Sequence, residues 1–159
     1  MAVFDIVPSF FNVSNQVRSS LNALHPIYSQ LDAKALPTNG RTEPLQVQVG
    51  FYVESLGNFR STEMTFDMDL YMYMSWQDTR MQHNGSDYVL INDKSILEKI
   101  WLPDLYFANA RTAYFHEVTV HNFNMFVSPE GVIAYGTRVT LNLELSAGSS
   151  DVSHQNHQL

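Results

Sequence analysis

The chain has 159 residues, of which 45% are hydrophobic and 13% aromatic, a composition that suits one domain with a buried core and excludes an intrinsically disordered chain. Its 16 acidic and 9 basic residues give a net charge of −7, which disfavours binding to nucleic acid. The absence of cysteine excludes disulfides, thiolate catalysis and cysteine-ligated metal sites, and no apolar stretch reaches the roughly 18 residues of a membrane span.

The first predicted element is an α-helix over about residues 14–36, interrupted or ended near Pro26. Ser14 is a suitable N-cap, and apolar residues recur at the spacing of one helix face: Val17, Leu21 and Leu24. The turn-forming sequence of residues 37–40 predicts a loop after the helix.

Two β-strands are predicted next, because apolar and polar residues alternate. The buried face of the first strand is expected to consist of Leu45, Val47, Val49, Phe51 and Val53, followed by a turn at residues 55–58. The predicted core face of the second strand consists of Met64, Phe66, Met68, Leu70, Met72, Met74 and Trp76. Its predicted outward face consists of Thr65, Asp67, Asp69, Tyr71, Tyr73 and Ser75.

Two further strands are predicted over residues 122–127 and 135–145, with alternating residues in both. The sequence Ser128-Pro129-Glu130-Gly131 between them is typical of a turn. The predicted domain therefore covers residues 1–145, with strands over about 45–145. Residues 146–159 have almost no apolar content and are expected to form a disordered polar tail.

Motifs between the predicted strands carry a family resemblance. They are formed by residues 76–81, 100–109, 114–119 and 131–145. The first two are similar to the Trp-x-Asp-x-Arg-Leu and Trp-x-Pro-Asp segments of Cys-loop receptor extracellular domains, which belong to pentameric ligand-gated ion channels. The third resembles glycine-receptor-like anion-channel subunits, and the fourth resembles the sixth strand of the family. The motif residues with an expected structural role are Trp76, Asp78, Trp101, Pro103 and Asp104.

The resemblance covers about residues 10–145 and implies an all-β fold, an immunoglobulin-like β-sandwich with an N-terminal α-helix. Ser146 stands where the first cysteine of the family's signature loop is expected, so the domain is interpreted as truncated before that loop. The missing strands belong mostly to the outer sheet, and their loss would expose the core face of the second strand from Met64 to Met72. The exposed face predicts an obligate homo-oligomer, either a pentamer or a decamer.

The resemblance also implies a ligand site between neighbouring subunits. Its complementary face would contain Tyr71, Tyr73, Asn124 and Arg138, and its first principal-face loop would contain Ala108 and Asn109. Aromatic rings there hold amines by cation–π attraction, and an arginine can pair with a ligand carboxylate. Tyr73 stands where anion-channel subunits that bind amino acids usually carry arginine. The later principal-face loops have no counterpart in this sequence.

Structural interpretations stand beside these functional ones. Tyr71 and Tyr73 either line a site or fill a subunit interface. Asp67 and Asp69 are interpreted as solvated or interfacial acids rather than as an acid–base pair. His116 is a candidate zinc ligand, because related subunits have histidines near this segment, but a lone hydrogen-bonded histidine is the preferred interpretation.

Two functions are predicted, both non-enzymatic and without a cofactor, because no catalytic or phosphate-binding motif is recognisable. The first is a soluble, channel-less homologue of a receptor extracellular domain, which forms a homo-oligomer and binds a small neurotransmitter-like ligand. The second is a truncated subunit that associates with full-length receptor subunits and alters their assembly without binding a ligand itself.

An extracellular or secreted location is expected for both functions. Residues 1–5 lack the basic and apolar regions of a signal peptide, so either the signal was removed before this numbering starts or the protein stays inside the cell. Two N-glycosylation acceptor sequences, residues 12–14 and 84–86, fit secretion.

Overall fold

The computed structural model describes residues 31–37 and 44–145. Their elements are β1 (Val47–Arg60), β2 (Thr65–Gln77), a 3-10 helix (Thr79–Met81), β3 (Val89–Ile91), α1 (Lys94–Leu97), β4 (Ala110–Phe115), β5 (Phe123–Val127) and β6 (Val132–Glu144). Antiparallel strands dominate, which confirms the predicted all-β fold. Neither helix in this part of the chain has the length and apolar character needed to cross a lipid bilayer.

The strands form one sheet in the order β1–β2–β6–β5–β3. The central strand is β6. It pairs with β2 along its whole length on one side, and on the other side it pairs with β5 and β4, which lie end to end. The register places Tyr71 of β2 opposite Arg138 of β6, and Asp69 opposite Thr140. This register determines which side chains meet on the outward face of the sheet.

The inward face of the sheet carries the core, as the alternation in β2 and β6 predicts. Buried residues from the segment between β2 and β4 belong to the same cluster, among them Met81, Ile91, Leu97 and Ile100. Burial of each such side chain contributes about 1.5–3 kcal/mol. The predicted exposure of the core face of β2 is therefore wrong for Leu70 and Met72, which are 1% and 6% exposed. Met64 is exposed, because it lies in the turn before β2.

The first strand differs from its prediction in length and in burial. β1 continues to Arg60, and the turn predicted at residues 55–58 lies within it, while the actual turn covers residues 61–64. Two shifts of register with β2 accompany the extension. Among the described residues, β1 pairs only with β2, and its predicted core face is accessible, with Phe51 and Val53 each 46% exposed.

The predicted N-terminal helix lies mostly outside the described residues. Its last part, residues 31–36, forms turns rather than helix. The Asp32 carboxylate accepts a hydrogen bond from the Lys34 N–H at 2.9 Å, and the Asp32 carbonyl accepts one from the Ala35 N–H at 3.1 Å. Such local bonds from aspartate compete with helical hydrogen bonding. The predicted polar tail, residues 146–159, also lies outside the described residues.

Candidate functional site

Two of the motif segments pack against each other near the end of β2. The ring of Trp76 is buried and meets the ring of Trp101 edge to face, with centroids 6.0 Å apart. Pro103 is half-buried and Asp104 is exposed. Aromatic pairs in this geometry contribute about 0.5–1.5 kcal/mol beyond their buried area, so the tryptophans have a packing role.

Asp78 and Arg80 form an ion pair directly after β2, in which the Asp78 side chain is buried. The Asp78 carboxylate is fully buried and accepts hydrogen bonds from the Arg80 Nε at 2.9 Å and the Arg80 Nη2 at 2.8 Å. It also accepts the Arg80 backbone N–H at 3.0 Å, which caps the 3-10 helix. The hydrogen bond to Asp78 raises the pKa of Arg80. The Asp78 N–H donates to the carbonyl of Gly131 at 2.8 Å, so Asp78 also connects the end of β2 to the β5–β6 turn.

On the outward face of the sheet, an arginine lies over a tyrosine ring. The guanidinium carbon of Arg138 lies 5.6 Å from the ring centroid of Tyr71, and the Arg138 Nη2 donates to Glu54 Oε2 at 2.6 Å. The ring of Tyr52 lies 6.3 Å from that of Tyr71. The side chains of Arg138 and Glu54 are 31% and 38% exposed. This face therefore presents a solvent-accessible ion pair on an aromatic base.

Tyr73 lies on the same face, one alternate position further along β2. Its register neighbour on β6 is Gly136, whose neighbour on β5 is the exposed Asn124. A Cβ at Gly136 would lie 3.2 Å from the Tyr73 ring, so glycine leaves the space that the ring uses. Burial raises the pKa of Tyr73, and the nearby phenols Tyr71 and Tyr52 raise it further. The neutral phenol is therefore available both as a donor and as an acceptor.

The predicted principal-face residues lie far from this group. Ala108 and Asn109 form the turn before β4, where the Asn109 carbonyl accepts the N–H of Glu144 at 2.9 Å. Glu144 ends β6, and at about 3.3 Å per strand residue it lies roughly 20 Å from Arg138. The structure thus brings Tyr71, Tyr73, Asn124 and Arg138 onto one face. It does not bring Ala108 and Asn109 to them within one chain.

The acids of β2 are each held by hydrogen bonds from both neighbouring strands. Donors to Asp69 are the hydroxyls of Thr140 and Ser55, and donors to Asp67 are the amides of Asn142 and Asn58. These bonds, led by those from Asn142 and Thr140, lower the pKa of both carboxyls below the ordinary 3.8. Since Asp67 and Asp69 each have their own donors, their geometry does not suit a proton-sharing pair.

His116 belongs to the same polar network. Its Nε2 lies 2.6 Å from Thr140 Oγ1 and 4.0 Å from Asp69 Oδ1. Among residues 31–37 and 44–145, no group of three or more His, Asp or Glu side chains is arranged to hold a metal ion. In the described part of the chain, His116 is therefore a hydrogen-bonded side chain that contacts Thr140.

Sequence reasoning missed Glu54, the ion-pair partner of Arg138. The predicted first strand ended at Val53, whereas β1 continues past it to Arg60. An acidic residue directly after a predicted strand was the available signal. It becomes informative only when the register between β1 and β2 is known.

The carboxylates of β2 predict a change in acid stability. Because their pKa values are lowered by folding, their contribution is complete above the unfolded pKa of about 4 and is lost as pH falls through the folded values. We expect the Asp67→Asn/Asp69→Asn variant to lose less stability than the wild type below about pH 4. The measurement is the midpoint of urea unfolding at a series of pH values.

A matched control is Asp104→Asn, at an exposed loop position. Its urea midpoint should fall with decreasing pH as steeply as that of the wild type. If the midpoint of the double variant also fell as steeply below about pH 4, the hydrogen bonds to Asp67 and Asp69 would not be favouring the charged forms.

The family model described as "Neurotransmitter-gated ion-channel ligand binding domain" matches residues 21–145. The chain is 40% identical over 97 residues to "Glycine receptor subunit beta-type 4" of Caenorhabditis elegans, covering 61% of this chain and 20% of that relative. It is 30% identical over 138 residues to "Gamma-aminobutyric acid receptor subunit theta" of Mus musculus, covering 86% of this chain and 22% of that relative. The chain thus spans about a fifth of the length of these relatives.

Proposed function

The chain belongs to the family of neurotransmitter-gated ion-channel ligand-binding domains, and from this premise we propose that its outward sheet face is the complementary side of an extracellular ligand site between two subunits. The observation that carries the proposal is the Arg138–Glu54 pair over the ring of Tyr71, beside Tyr73. Charged groups that are accessible on an aromatic base suit a small polar ligand.

The charges of this face favour an amino acid over a simple amine. Glu54 contacts one terminal nitrogen of Arg138, and the ion pair is partly exposed, whereas the Arg138 Nε is buried. A ligand carboxylate can therefore replace Glu54 at the terminal nitrogens of the guanidinium and form the two parallel bonds that arginine prefers. The names of the two relatives, receptors for glycine and γ-aminobutyric acid, point to the same class of small amino acids.

The two tyrosines have different roles in this proposal. Tyr71 already holds the guanidinium of Arg138 on its ring face, so it positions the arginine. Tyr73 has no cation within contact among the described residues, so its ring face or phenol is available to the ligand ammonium. With tyrosine rather than arginine at position 73, the guanidinium beside Tyr71 and Tyr73 that can bind the ligand carboxylate is that of Arg138.

We expect Arg138→Gln to weaken the binding of glycine or γ-aminobutyric acid about tenfold or more, because a hydrogen bond to a charged group contributes about 1.5–3 kcal/mol. Glu54→Gln should bind at least as tightly as the wild type, since the ligand carboxylate then has no competitor at Arg138. Isothermal titration of the purified chain with each amino acid measures both effects.

Arg111→Gln is the control, because Arg111 is also paired with a carboxylate, Glu144, at 2.6 Å on the exposed sheet. It should bind like the wild type. If Arg138→Gln bound glycine and γ-aminobutyric acid as tightly as the wild type, Arg138 would not be part of the ligand site.

The site requires a neighbouring subunit, and we propose that the chain forms a homo-oligomer, a pentamer or a decamer. The exposed apolar side chains of β1 support such contacts, with Phe51 46%, Leu56 55% and Phe59 67% exposed. The native mass of the purified chain, measured by light scattering, tests this part. A monomer at micromolar concentration would contradict it.

The same exposed β1 favours a second candidate function, association with full-length receptor subunits. An edge strand with accessible apolar side chains can pair with a different subunit as well as with its own copy. Co-purification of the chain with full-length subunits, without any titratable amino-acid binding, would favour this function over the first.

A further inference from the structure

A loop between the 3-10 helix and β3 carries the sequence Asn84-Gly85-Ser86, an acceptor pattern for N-linked glycosylation. Such triplets also arise by chance, so accessibility decides whether one is usable. Asn84 and Ser86 are both exposed, and the residues around them have no regular secondary structure. The acceptor therefore lies in an open surface loop.

The base of this loop is fixed to the β5–β6 turn by His83. This residue is 9% exposed, its N–H donates to the Pro129 carbonyl at 3.2 Å, and its Nε2 lies 3.4 Å from the Val127 carbonyl oxygen. Its Nδ1 accepts the N–H of Gly85 at 3.1 Å. The acceptor residues thus follow directly after an anchored residue and stand away from the core.

The glycine in the middle of the acceptor also has a local reason. A Cβ at Gly85 would lie 2.9 Å from the His83 Nδ1, so glycine lets the chain pass close over the imidazole. Among the described residues, the Asn84 amide makes no hydrogen bond, and the Ser86 hydroxyl has only a long 3.4 Å contact with Asp87. Neither acceptor side chain has to break a strong bond in order to react.

We propose that Asn84 is an N-glycosylation site of this protein. In the transfer, the Asn84 Nδ2 bonds to C1 of the first sugar of a lipid-diphosphate-linked oligosaccharide. The C1–O bond to the diphosphate breaks, the lipid diphosphate leaves with the bonding electrons, and Nδ2 loses one proton. This inference rests on the extracellular location in the proposed function, although it does not require that the chain bind an amino acid.

A glycan at Asn84 is compatible with the proposed ligand face. The loop lies beside the β5–β6 turn, and Arg138 is about 20 Å further along β6 at roughly 3.3 Å per residue. A sugar chain at this end of the sheet leaves Arg138 and Tyr73 accessible. It does require that the surface around residues 84–87 face solvent in any oligomer.

The test is expression of the full chain in insect cells behind a cleavable secretion leader, followed by mass measurement before and after treatment with an N-glycosidase. Because residues 12–14 are a second acceptor, the reference is Asn12→Gln, which leaves residues 84–86 alone. We expect this variant to lose one glycan's mass on treatment. Adding Asn84→Gln or Ser86→Ala should abolish the change, whereas adding Ser86→Thr should retain it.

If the secreted Asn12→Gln variant had the same mass before and after treatment, the proposal would be overturned. A mass change that persisted with Asn84→Gln would overturn it as well. The exposed positions of Asn84 and Ser86 make secretion of all variants the expected result, and Ser86→Thr serves as the control for a change in this loop. Since the readout is mass, a failure here is distinguishable from a failure to bind glycine or γ-aminobutyric acid.

Discussion

Replacing Arg80 by alanine is expected to lower the free energy of unfolding by about 3 kcal/mol, because the Asp78 carboxylate is then buried without its counter-charge. The carboxylate is completely buried, and three side-chain contacts from Arg80 reach it at 2.8–3.2 Å. The Arg80 side chain is 21% exposed, so water can partly solvate the Asp78 carboxylate once Arg80 is removed. The expected loss therefore lies at the lower end of the usual range of roughly 3–5 kcal/mol. Urea unfolding measures the change.

The matched control is Arg111→Ala, which removes an arginine–carboxylate contact of similar length from an exposed position. Its pair with Glu144 is 2.6 Å long, and the two side chains are 46% and 51% exposed. Exposed pairs contribute about 0–1 kcal/mol, so this variant should remain close to the wild type. Similar losses in the two variants would mean that burial of Asp78 has no energetic consequence.

The central strands of the fold could be predicted from the sequence because burial alternates strictly along them. From Leu70 to Trp76 in β2, and from Ile133 to Leu143 in β6, every second residue is buried. β5 and the turn at residues 128–131 are also where the sequence predicted them. A strand that packs one face against a core has apolar residues at every second position, and this alternation is visible in the sequence.

Other elements carry no such period. β4 is almost entirely exposed, so neither of its faces selects apolar residues, and β3 has three residues, too few for an alternation. β1 was predicted too short because two register shifts interrupt its pairing and Asn58 within it has φ 50°. Within the helix predicted over 14–36, the described residues 31–36 form turns, and there the Asp32 carboxylate accepts the N–H of Lys34.

The candidate site shows the same division. That Tyr71 and Tyr73 share the outward face follows from parity alone, and so does the position of Arg138 on the outward face of β6. The side chains that they contact depend on the pairing register between strands, and no single strand's sequence specifies that register. The ion pair with Glu54 forms because β1 passes Tyr71 at one particular offset, and that offset is changed by the shift between Val53 and Ser55.

Gly131→Ala is expected to destabilise the protein by about 2–5 kcal/mol, because two costs add at this turn. Gly131 has φ 81°, a left-handed conformation that costs other residues about 1–2 kcal/mol. A Cβ there would lie 2.4 Å from the Asp78 carbonyl oxygen, and overpacking of this kind typically costs about 1–3 kcal/mol. Gly50→Ala is the control, since a Cβ at Gly50 has nothing within 4 Å, and it should change stability by less than about 0.5 kcal/mol.

The variant Gly131→Asn separates these two costs. Asparagine tolerates the left-handed conformation far better than alanine, but its Cβ meets the same carbonyl oxygen. If Asn is nearly as destabilising as Ala, the close approach to Asp78 dominates, which is the result that we expect from the 2.4 Å distance. Recovery of wild-type stability with Asn would instead assign the loss to backbone conformation.

The Arg80 and Gly131 variants should not be additive. The Asp78 N–H donates to the Gly131 carbonyl, and the Asp78 carboxylate is bound by Arg80, so both changes act on the residue that joins β2 to the β5–β6 turn. Once a Cβ at position 131 has displaced Asp78, its carboxylate is less buried and has less need of Arg80. The double variant should therefore lose less stability than the sum of the single losses, and strict additivity would show that Asp78 does not couple the two sites.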